Sequence, residues 1–338
     1  MKKHVNIPVF IPHLGCPNQC VFCNQRYISA VTEFDISEVR TTIESALATI
    51  DPITTETEIA FFGGSFTGID RSLMIALLDI AEEYVSRGAV SSIRLSTRPD
   101  YIDEERLRIL SAYHVRTIEL GIQSASDRVL SLSKRGHSAE ISRNAARLVR
   151  KSGFELVGQM MIGLPGATLE DEIATAEMIA NCGARSARIY PAIVFKDTEL
   201  DVMYRDGIYT PLSIDEAVFR SKEVYRIFLR EGIEVIRVGL CSSENLSSEE
   251  TYSAGPNHVA IGELVESAIY FDLISSALNG QSTEGCVLLV YVNDKDVSKA
   301  AGQNRANKLS LTSIYRLKCV KIIGDPDLPK YKVKISLV

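Results

Sequence analysis

The chain has 338 residues, of which 46% are hydrophobic and 24% are charged, and its formal net charge at pH 7 is -6. This composition excludes a disordered chain and a wholly basic nucleic-acid binder, and the length suits one α/β barrel with a modest additional module. No apolar run approaches the ~18 residues of a membrane span. Pro8 and Pro12 interrupt the apolar stretch near the start, so we predict no signal peptide and expect a cytoplasmic protein.

Predicted strands and helices alternate along most of the chain. Strands are predicted at residues 5–12, 58–62, 92–96, 117–122, 155–162 and 185–190. Helices are predicted at residues 35–50, 70–87, 103–113, 138–152 and 168–181, and then at 213–230 and 263–277, with a further strand at 233–240. Capping boxes at Thr168-x-x-Asp171 and Ser213-x-x-Glu216 mark two of the helix starts. Six successive strand–helix units predict a parallel sheet with right-handed crossovers.

The pattern changes after a predicted linker at residues 279–282. Strands at 286–292, 317–323 and 331–337, with a helical stretch at 298–315, predict a small α/β module of βαββ order. Its last strand alternates apolar and polar residues, as expected of a half-buried antiparallel strand. We therefore predict two domains, a barrel with extensions at residues 1–278 and a C-terminal module at residues 283–338.

The C-terminal module is basic. Residues 287–338 contain ten Lys or Arg and four Asp, a net charge of +6 on a chain whose total is -6. This segregation predicts contact with a polyanion, and tRNA is the favoured partner. The alternative is a solvated face on a small packing domain.

Three of the seven cysteines fall within eight residues, as Cys16-x3-Cys20-x2-Cys23, in the loop after the first predicted strand. Three thiolates this close favour a shared metal centre. Structural zinc usually takes four ligands with paired spacing, whereas three thiolates on a cubane iron–sulfur cluster leave one iron open for a ligand. Zinc and unligated thiols remain the alternatives. The scattered cysteines are interpreted as small buried hydrophobes, namely Cys182, Cys241, Cys286 and Cys319.

Polar and glycine-rich clusters follow several predicted strands. They lie at residues 61–68, 96–100, 119–124, 159–166 and 188–191. In a parallel α/β barrel the carboxyl ends of the strands form one face, and the active site sits there. We therefore expect these clusters to converge on the cysteine loop. Phe22, immediately before the last cysteine of the triplet, is expected to pack over a bound ligand.

The chain resembles the radical S-adenosylmethionine (SAM) enzymes in four segments taken together: Cys16–Cys23, Gly63-Gly64-Ser65, Gly121-Ile122-Gln123-Ser124 and Gly163-Leu164-Pro165-Gly166. It closely resembles the radical-SAM domain of the elongator-complex catalytic subunit, a tRNA uridine-34 modifying enzyme, at residues 97–100, 119–121, 135–137 and 190–191. A secondary resemblance is to oxygen-independent coproporphyrinogen dehydrogenases. Ser96 stands where the close relatives carry an acid, and residues 280–338 are too few for the acetyltransferase domain of the elongator subunit.

The resemblance implies a partial (β/α)6 barrel of the TIM type, a 4Fe-4S cluster, and SAM bound to the open iron. It assigns Cys16, Cys20 and Cys23 to the cluster. The residues that it assigns to SAM are Gly63, Gly64, Ser65, Gln123, Arg135 and Gln159. No catalytic residue is assigned firmly, and the candidates are His137 and Tyr190.

The function expected from the resemblance is reductive cleavage of SAM to a 5′-deoxyadenosyl radical that modifies a nucleoside of tRNA. A reductant is the implied electron donor. One alternative is radical chemistry on a small metabolite such as a tetrapyrrole. The other is an iron–sulfur or SAM-binding protein without turnover.

Overall fold

The computed structural model describes residues 3–11, 14–17, 20–24, 34–240 and 251–338. Cys241 lies outside these ranges. The strands are β1 (Lys3–Phe10), β2 (Thr55–Phe62), β3 (Ser92–Thr97), β4 (Val115–Gln123), β5 (Glu155–Ile162), β6 (Ser186–Pro191), β7 (Val194–Phe195), β8 (Glu234–Val238), β9 (Tyr252–Ala254), β10 (Val287–Val292), β11 (Cys319–Gly324) and β12 (Lys334–Leu337).

The helices alternate with these strands. They are α1 (Val39–Leu47), α2 (Arg71–Ser86), α3 (Glu104–Ser111), α4 (Asp127–Leu132), α5 (Ala139–Lys151), α6 (Leu169–Asn181), α7 (Glu199–Arg205), α8 (Ile214–Arg230), α9 (Ile261–Leu278), α10 (Val297–Ala301) and α11 (Ala306–Ile314). Both predicted capping boxes are confirmed by reciprocal hydrogen bonds, at Thr168 with Asp171 and at Ser213 with Glu216. No helix in the described ranges is long and apolar enough to cross a membrane.

The main sheet has seven strands in the order β1-β2-β3-β4-β5-β6-β8, and every neighbouring pair is parallel. Because the spatial order of the strands follows their order in the chain, the sheet winds in one direction, and helices connect successive strands. This is the partial TIM-type barrel that was predicted. β8 adds a seventh strand to the six predicted strand–helix units. The carboxyl ends of all these strands lie at the same edge, so the loops that follow them share one face.

The second sheet has the order β11-β10-β12, in which β10 pairs with β11 in parallel and with β12 antiparallel. The βαββ order of the C-terminal module is therefore confirmed. The predicted helical stretch at 298–315 is two helices, because Gly302, Asn304 and Arg305 have positive φ angles of 77°, 51° and 64° that break the helix between α10 and α11. The last strand starts later than predicted, after Tyr331, whose φ of 57° is incompatible with an extended strand.

The described chain forms two compact units. The first comprises Met1–Leu212 and Ile227–Gly255, and the second comprises Ser213–Arg226 and Pro256–Val338. The second unit includes α9, which the sequence analysis grouped with the barrel. Within that unit, α9 packs on the three-stranded sheet through Tyr270, Ile274 and Leu278. The first unit also contains a two-stranded antiparallel sheet of β7 and β9, which was not predicted because its strands have only two and three residues.

Candidate functional site

The cysteine loop after β1 packs against the loop after β2 through two glycines. The Ser65 amide donates to the Leu14 carbonyl at 2.9 Å. A Cβ at Gly64 would overlap the carbonyl oxygens of Leu14 and Ile11, and a Cβ at Gly15 would overlap Ser65 and Gly68. Glycine is therefore required at both positions for the two backbones to meet. Gly64 contacts the cysteine loop itself, a role that the sequence analysis did not predict.

Ser65 is completely buried, and its hydroxyl is engaged within the protein. It hydrogen bonds to the Thr97 hydroxyl at 2.8 Å and accepts the Arg98 amide at 3.2 Å. Ser65 thereby joins the loop after β2 to the end of β3. This hydroxyl is therefore part of the packing between the two strand ends, and only the Ser65 backbone amide reaches the cysteine loop.

Two buried arginines flank the cysteines. Arg135 donates from Nη1 to the Cys20 Sγ atom at 3.2 Å and from Nη2 to the Gly121 carbonyl at 2.6 Å. Arg98 donates to the Arg135 carbonyl at 2.6 Å and forms a bidentate ion pair with Asp100. Burial raises the pKa of the Cys16 thiol, while the positive charges of Arg135 and Arg98 act in the opposite direction. Burial outweighs the two guanidinium groups, so the pKa of the Cys16 thiol is raised overall, although both charges act in favour of a thiolate.

The cysteine loop is also held from its far side. The Val21 amide donates to the Ser133 carbonyl at 3.2 Å, and the Leu200 amide donates to the Val21 carbonyl at 2.8 Å. Phe22 packs against the small apolar cluster around Val21 and Leu200. Phe22 therefore belongs to the anchor that fixes the loop to the end of α4 and the start of α7.

Cys20 is buried, and Cys16 and Cys23 are half-buried. The Cys23 amide closes a turn on the Cys20 carbonyl at 3.0 Å. Within the described ranges, no three Cys, His, Asp or Glu side chains are gathered as the ligands of a metal ion. The assignment of all three cysteines to one cluster thus stays a prediction from their spacing. Of the scattered cysteines, Cys182 is buried as predicted, whereas Cys286 and Cys319 are half-buried.

Four buried polar atoms around this loop have no hydrogen-bond partner among the residues that the structure describes. They are Arg98 Nη1, Gln123 Oε1, Arg135 Nε and His137 Nε2. Gln123 ends β4 with a φ of 67°, a conformation that is strained for a residue with a side chain. Unpaired buried polar atoms are rare and call for an explanation. These hydrogen-bond donors and this acceptor beside the cysteines fit a polar ligand that carries both acceptor and donor groups. The amino-acid part of SAM, with its carboxylate and ammonium groups, is such a ligand.

His137 is 7% exposed, and its Nδ1 atom lies 3.2 Å from the Ser142 hydroxyl. Burial, together with the positive charge of Arg135, lowers the pKa of His137 to about 4. The imidazole is therefore neutral near pH 7. A neutral ring whose Nε2 atom has no partner in the described part of the chain can accept or donate one hydrogen bond there, depending on its tautomer.

The inner face of the barrel carries a buried network of charges. Glu119, which is fully buried, accepts hydrogen bonds from Arg94 at 3.0 Å, from Arg188 at 2.8 and 3.1 Å and from Gln159 at 2.7 Å. Burial alone would raise the pKa of Glu119, but the charges of Arg188 and Arg94 hold it below its ordinary value. Gln159, expected at SAM, is engaged in this network.

A second carboxylate extends the network toward β1. Glu58 accepts hydrogen bonds from His4 at 2.8 Å, from Ser92 at 2.5 Å and from Arg94 at 3.0 Å. Burial opposes its ionisation, but these partners lower the pKa of Glu58 to about 2. The sequence analysis missed Glu58 and Arg94, whereas Arg98 belongs to the polar cluster predicted at residues 96–100. A charged residue at an inward position of an otherwise apolar parallel strand was the available signal.

Comparison with known families decides the family. The model of the radical SAM superfamily matches residues 10–179, and the radical SAM C-terminal domain matches residues 184–270. The chain belongs to the radical SAM superfamily. Members of this superfamily bind a 4Fe-4S cluster and SAM, and these are the cofactors of the chain. The resemblance to the radical SAM enzymes that the sequence motifs indicated is therefore confirmed.

The radical SAM chain has relatives of different lengths. It is 27% identical to an uncharacterized protein of Methanocaldococcus jannaschii over 64% of this chain and 70% of that protein. It is 34% identical to the tRNA uridine(34) acetyltransferase of Methanocaldococcus infernus over 37% of this chain and 24% of that enzyme. The matched part is therefore about a quarter of the acetyltransferase.

A solved structure shares the fold. The archaeal Elp3 of Methanocaldococcus infernus, with its N-terminus deleted, superposes with a TM-score of 0.61 at 21% identity, over 82% of this chain and 64% of that one. At this identity the comparison supports the barrel architecture alone.

Proposed function

We propose that this radical SAM protein cleaves SAM reductively and uses the resulting 5′-deoxyadenosyl radical to modify a nucleoside of tRNA. The observation that carries the proposal is the cysteine loop, packed by Gly15 and Gly64 onto the loop after β2 and flanked by Arg135 and Arg98. The choice of tRNA is supported by the similarity to the tRNA uridine(34) acetyltransferase.

In this proposal each side chain has a defined task. Cys16, Cys20 and Cys23 ligate the cluster, which supplies the electron for SAM cleavage. Arg135 stabilises the Cys20 thiolate, and the open atoms of Gln123 and Arg98 receive SAM. Because a thiolate-bound cluster requires reduced cysteines, we place the reaction in the cytoplasm with a cellular reductant as electron donor.

The test is anaerobic reconstitution with iron and sulfide, followed by SAM, dithionite and bulk tRNA. We expect about four irons per chain, formation of 5′-deoxyadenosine, and a mass change in one tRNA nucleoside. Cys20→Ala should lose the iron and the cleavage, while Cys182→Ala should keep both. If Cys20→Ala keeps both its iron and the cleavage of SAM, the cluster assignment is contradicted. Cleavage with unchanged tRNA nucleosides contradicts the substrate and favours a small metabolite.

We further propose that the outer face of the three-stranded sheet contacts the tRNA. Leu288, Val290 and Val292 of β10 point into the core, so Leu289 and Tyr291 point outward and are half-buried. Lys321 of β11 lies beside Leu289, and Lys334 of β12 lies beside Tyr291. Both lysines are exposed. An aromatic ring with one lysine beside it and a second lysine two register positions away on the opposite strand suits a base stacked on a sheet with its phosphates held by the lysines.

Deleting residues 283–338 is a poor test of this contact. Their strands bury Tyr270, Ile274 and Leu278 of α9, so the deletion would open the core of the second unit. Lys321→Gln and Lys334→Gln remove exposed charges without this damage. Each should weaken tRNA binding and reduce the slope of log affinity against log salt by roughly one. The matched control is Lys151→Gln, an exposed lysine at the end of α5, and equal slopes in all proteins contradict the contact.

A further inference from the structure

The inward-facing positions of β6 and β8 place two arginines side by side. Arg188 and Arg237 are register partners on these neighbouring strands. Arg188 points into the barrel, because it pairs with the buried Glu119. Tyr190, two residues further along β6, lies on the same face, and its hydroxyl group accepts a hydrogen bond from Arg188 within reach of the charge of Arg237. Arg188, Tyr190 and Arg237 therefore meet near the carboxyl ends of β6 and β8.

The two arginines differ in their partners. The carboxylates of the network, Glu58 and Glu119, are both occupied by Arg94 and Arg188. Arg237 is half-buried and has no ion pair or hydrogen bond from its side chain in the part of the chain that the structure describes. One guanidinium is thus left with an open set of donors. Removing such a group from water without a counter-charge is costly, so the site favours an incoming anion.

We propose that Arg237, with the Tyr190 hydroxyl beside it, binds an oxyanion of the substrate, either a phosphate or a carboxylate. Guanidinium recognises both groups through two parallel N–H donors, and the phenol adds a third donor. Arg188 is held by Glu119 and stacks near the Phe62 ring at 5.7 Å, so it shapes the neighbouring wall of the site. The inference rests on the proposed function only in taking the barrel interior to be the substrate site.

The test measures binding without turnover, on reconstituted protein with SAM and no reductant. The probes are uridine 5′-monophosphate, uridine and glutarate, and the readout is isothermal titration calorimetry. We expect one of the two oxyanions to bind, with an affinity that falls about tenfold in Arg237→Gln and less in Arg237→Lys, as expected for the loss of a charged hydrogen bond. Uridine should bind these proteins equally.

The control is Arg230→Gln, an exposed arginine of α8 that should leave all affinities unchanged. An unchanged melting temperature and SAM affinity would show that Arg237→Gln is folded. Binding of glutarate alone through Arg237 supports the oxyanion site and argues against a nucleotide substrate. If neither oxyanion binds the wild-type protein, or if both bind Arg237→Gln as tightly as wild type, the proposed site is wrong whatever the reaction.

Discussion

Glu119 connects three strands of the barrel through a single carboxylate. Its partners Arg94, Gln159 and Arg188 come from β3, β5 and β6. Glu119→Gln would leave the buried Arg188 guanidinium without a counter-charge and Arg94 with Glu58 alone. We expect it to lower the free energy of unfolding by about 3–5 kcal/mol, measured by urea denaturation. Glu83→Gln, in an exposed ion pair with Arg40, should change stability little, and equal effects of the two substitutions would show that the network contributes no more than a surface pair.

The same network makes a pH-dependent contribution to stability. The pKa of Glu58 is lowered to about 2 and that of Glu119 is also lowered, so both bind protons more weakly folded than unfolded. Their contribution is complete above the ordinary pKa of about 4.5 and is lost progressively at lower pH, for Glu58 as the pH falls toward its folded pKa of about 2. The difference in unfolding free energy between wild type and Glu119→Gln should therefore shrink below pH 4.5. A constant difference from pH 7 to pH 3 would contradict the lowered pKa of Glu119.

Arg135 was expected to contact SAM, yet its Nη1 atom donates to the Cys20 sulfur. A positive charge stabilises the more negative, reduced state of a cluster held by that thiolate. Arg135→Gln should lower the reduction potential of the reconstituted protein by about 60 mV, the equivalent of ~1.4 kcal/mol for one electron. Redox titration followed by electron paramagnetic resonance measures this. Arg135→Lys should shift the reduction potential only slightly, and the exposed Arg150→Gln should not shift it. A potential that does not depend on residue 135 would contradict the proposed effect of Arg135 on the cluster.

At the scale of elements, the loops after β1 and β2 form one structure because two glycines let them touch. Gly64→Ala would push the Leu14 carbonyl away and displace the cysteine loop. We expect the iron content after reconstitution to fall by more than half, measured by colorimetric iron assay. Gly88→Ala is the control, because its Cβ meets open space although its φ is 73°. Normal iron content in Gly64→Ala would mean that the loop tolerates the shift.

The sequence predicted elements better than contacts. Alternating apolar strands and capped helices gave the order of the barrel, since both signals are local. The break between α10 and α11 was missed because only one of its three positive-φ residues is glycine. The partners of Arg135 and Glu119 were missed because they join residues far apart in the chain. Such contacts depend on register and on the β-bulge between Gly121 and Gln123, which no local pattern encodes.

At the scale of the whole molecule, charge is segregated along the chain. The last 52 residues carry the basic excess, and the part of the chain that holds the cysteine loop and the buried network carries the acidic one. This segregation was visible in the sequence. The position of Lys321 and Lys334 on either side of β10 was not, because it follows from the register of β11 and β12. Lys332, two residues before Lys334, lies outside β12.

The anchor of the cysteine loop, from Val21 to Ser133 and Leu200, links segments that are more than a hundred residues apart in the chain. Damage to the cluster by air should therefore be transmitted to α7 and to the end of α4. We expect amide hydrogen exchange to become faster at residues 133–137 and 199–201 when the cluster is lost, whereas α6 should exchange at the same rate in both states. Exchange that accelerates only at residues 14–24 would contradict this link. If the link holds, the exchange rate of the amides near Ser133 reports how much of the protein still carries its cluster in air-exposed samples.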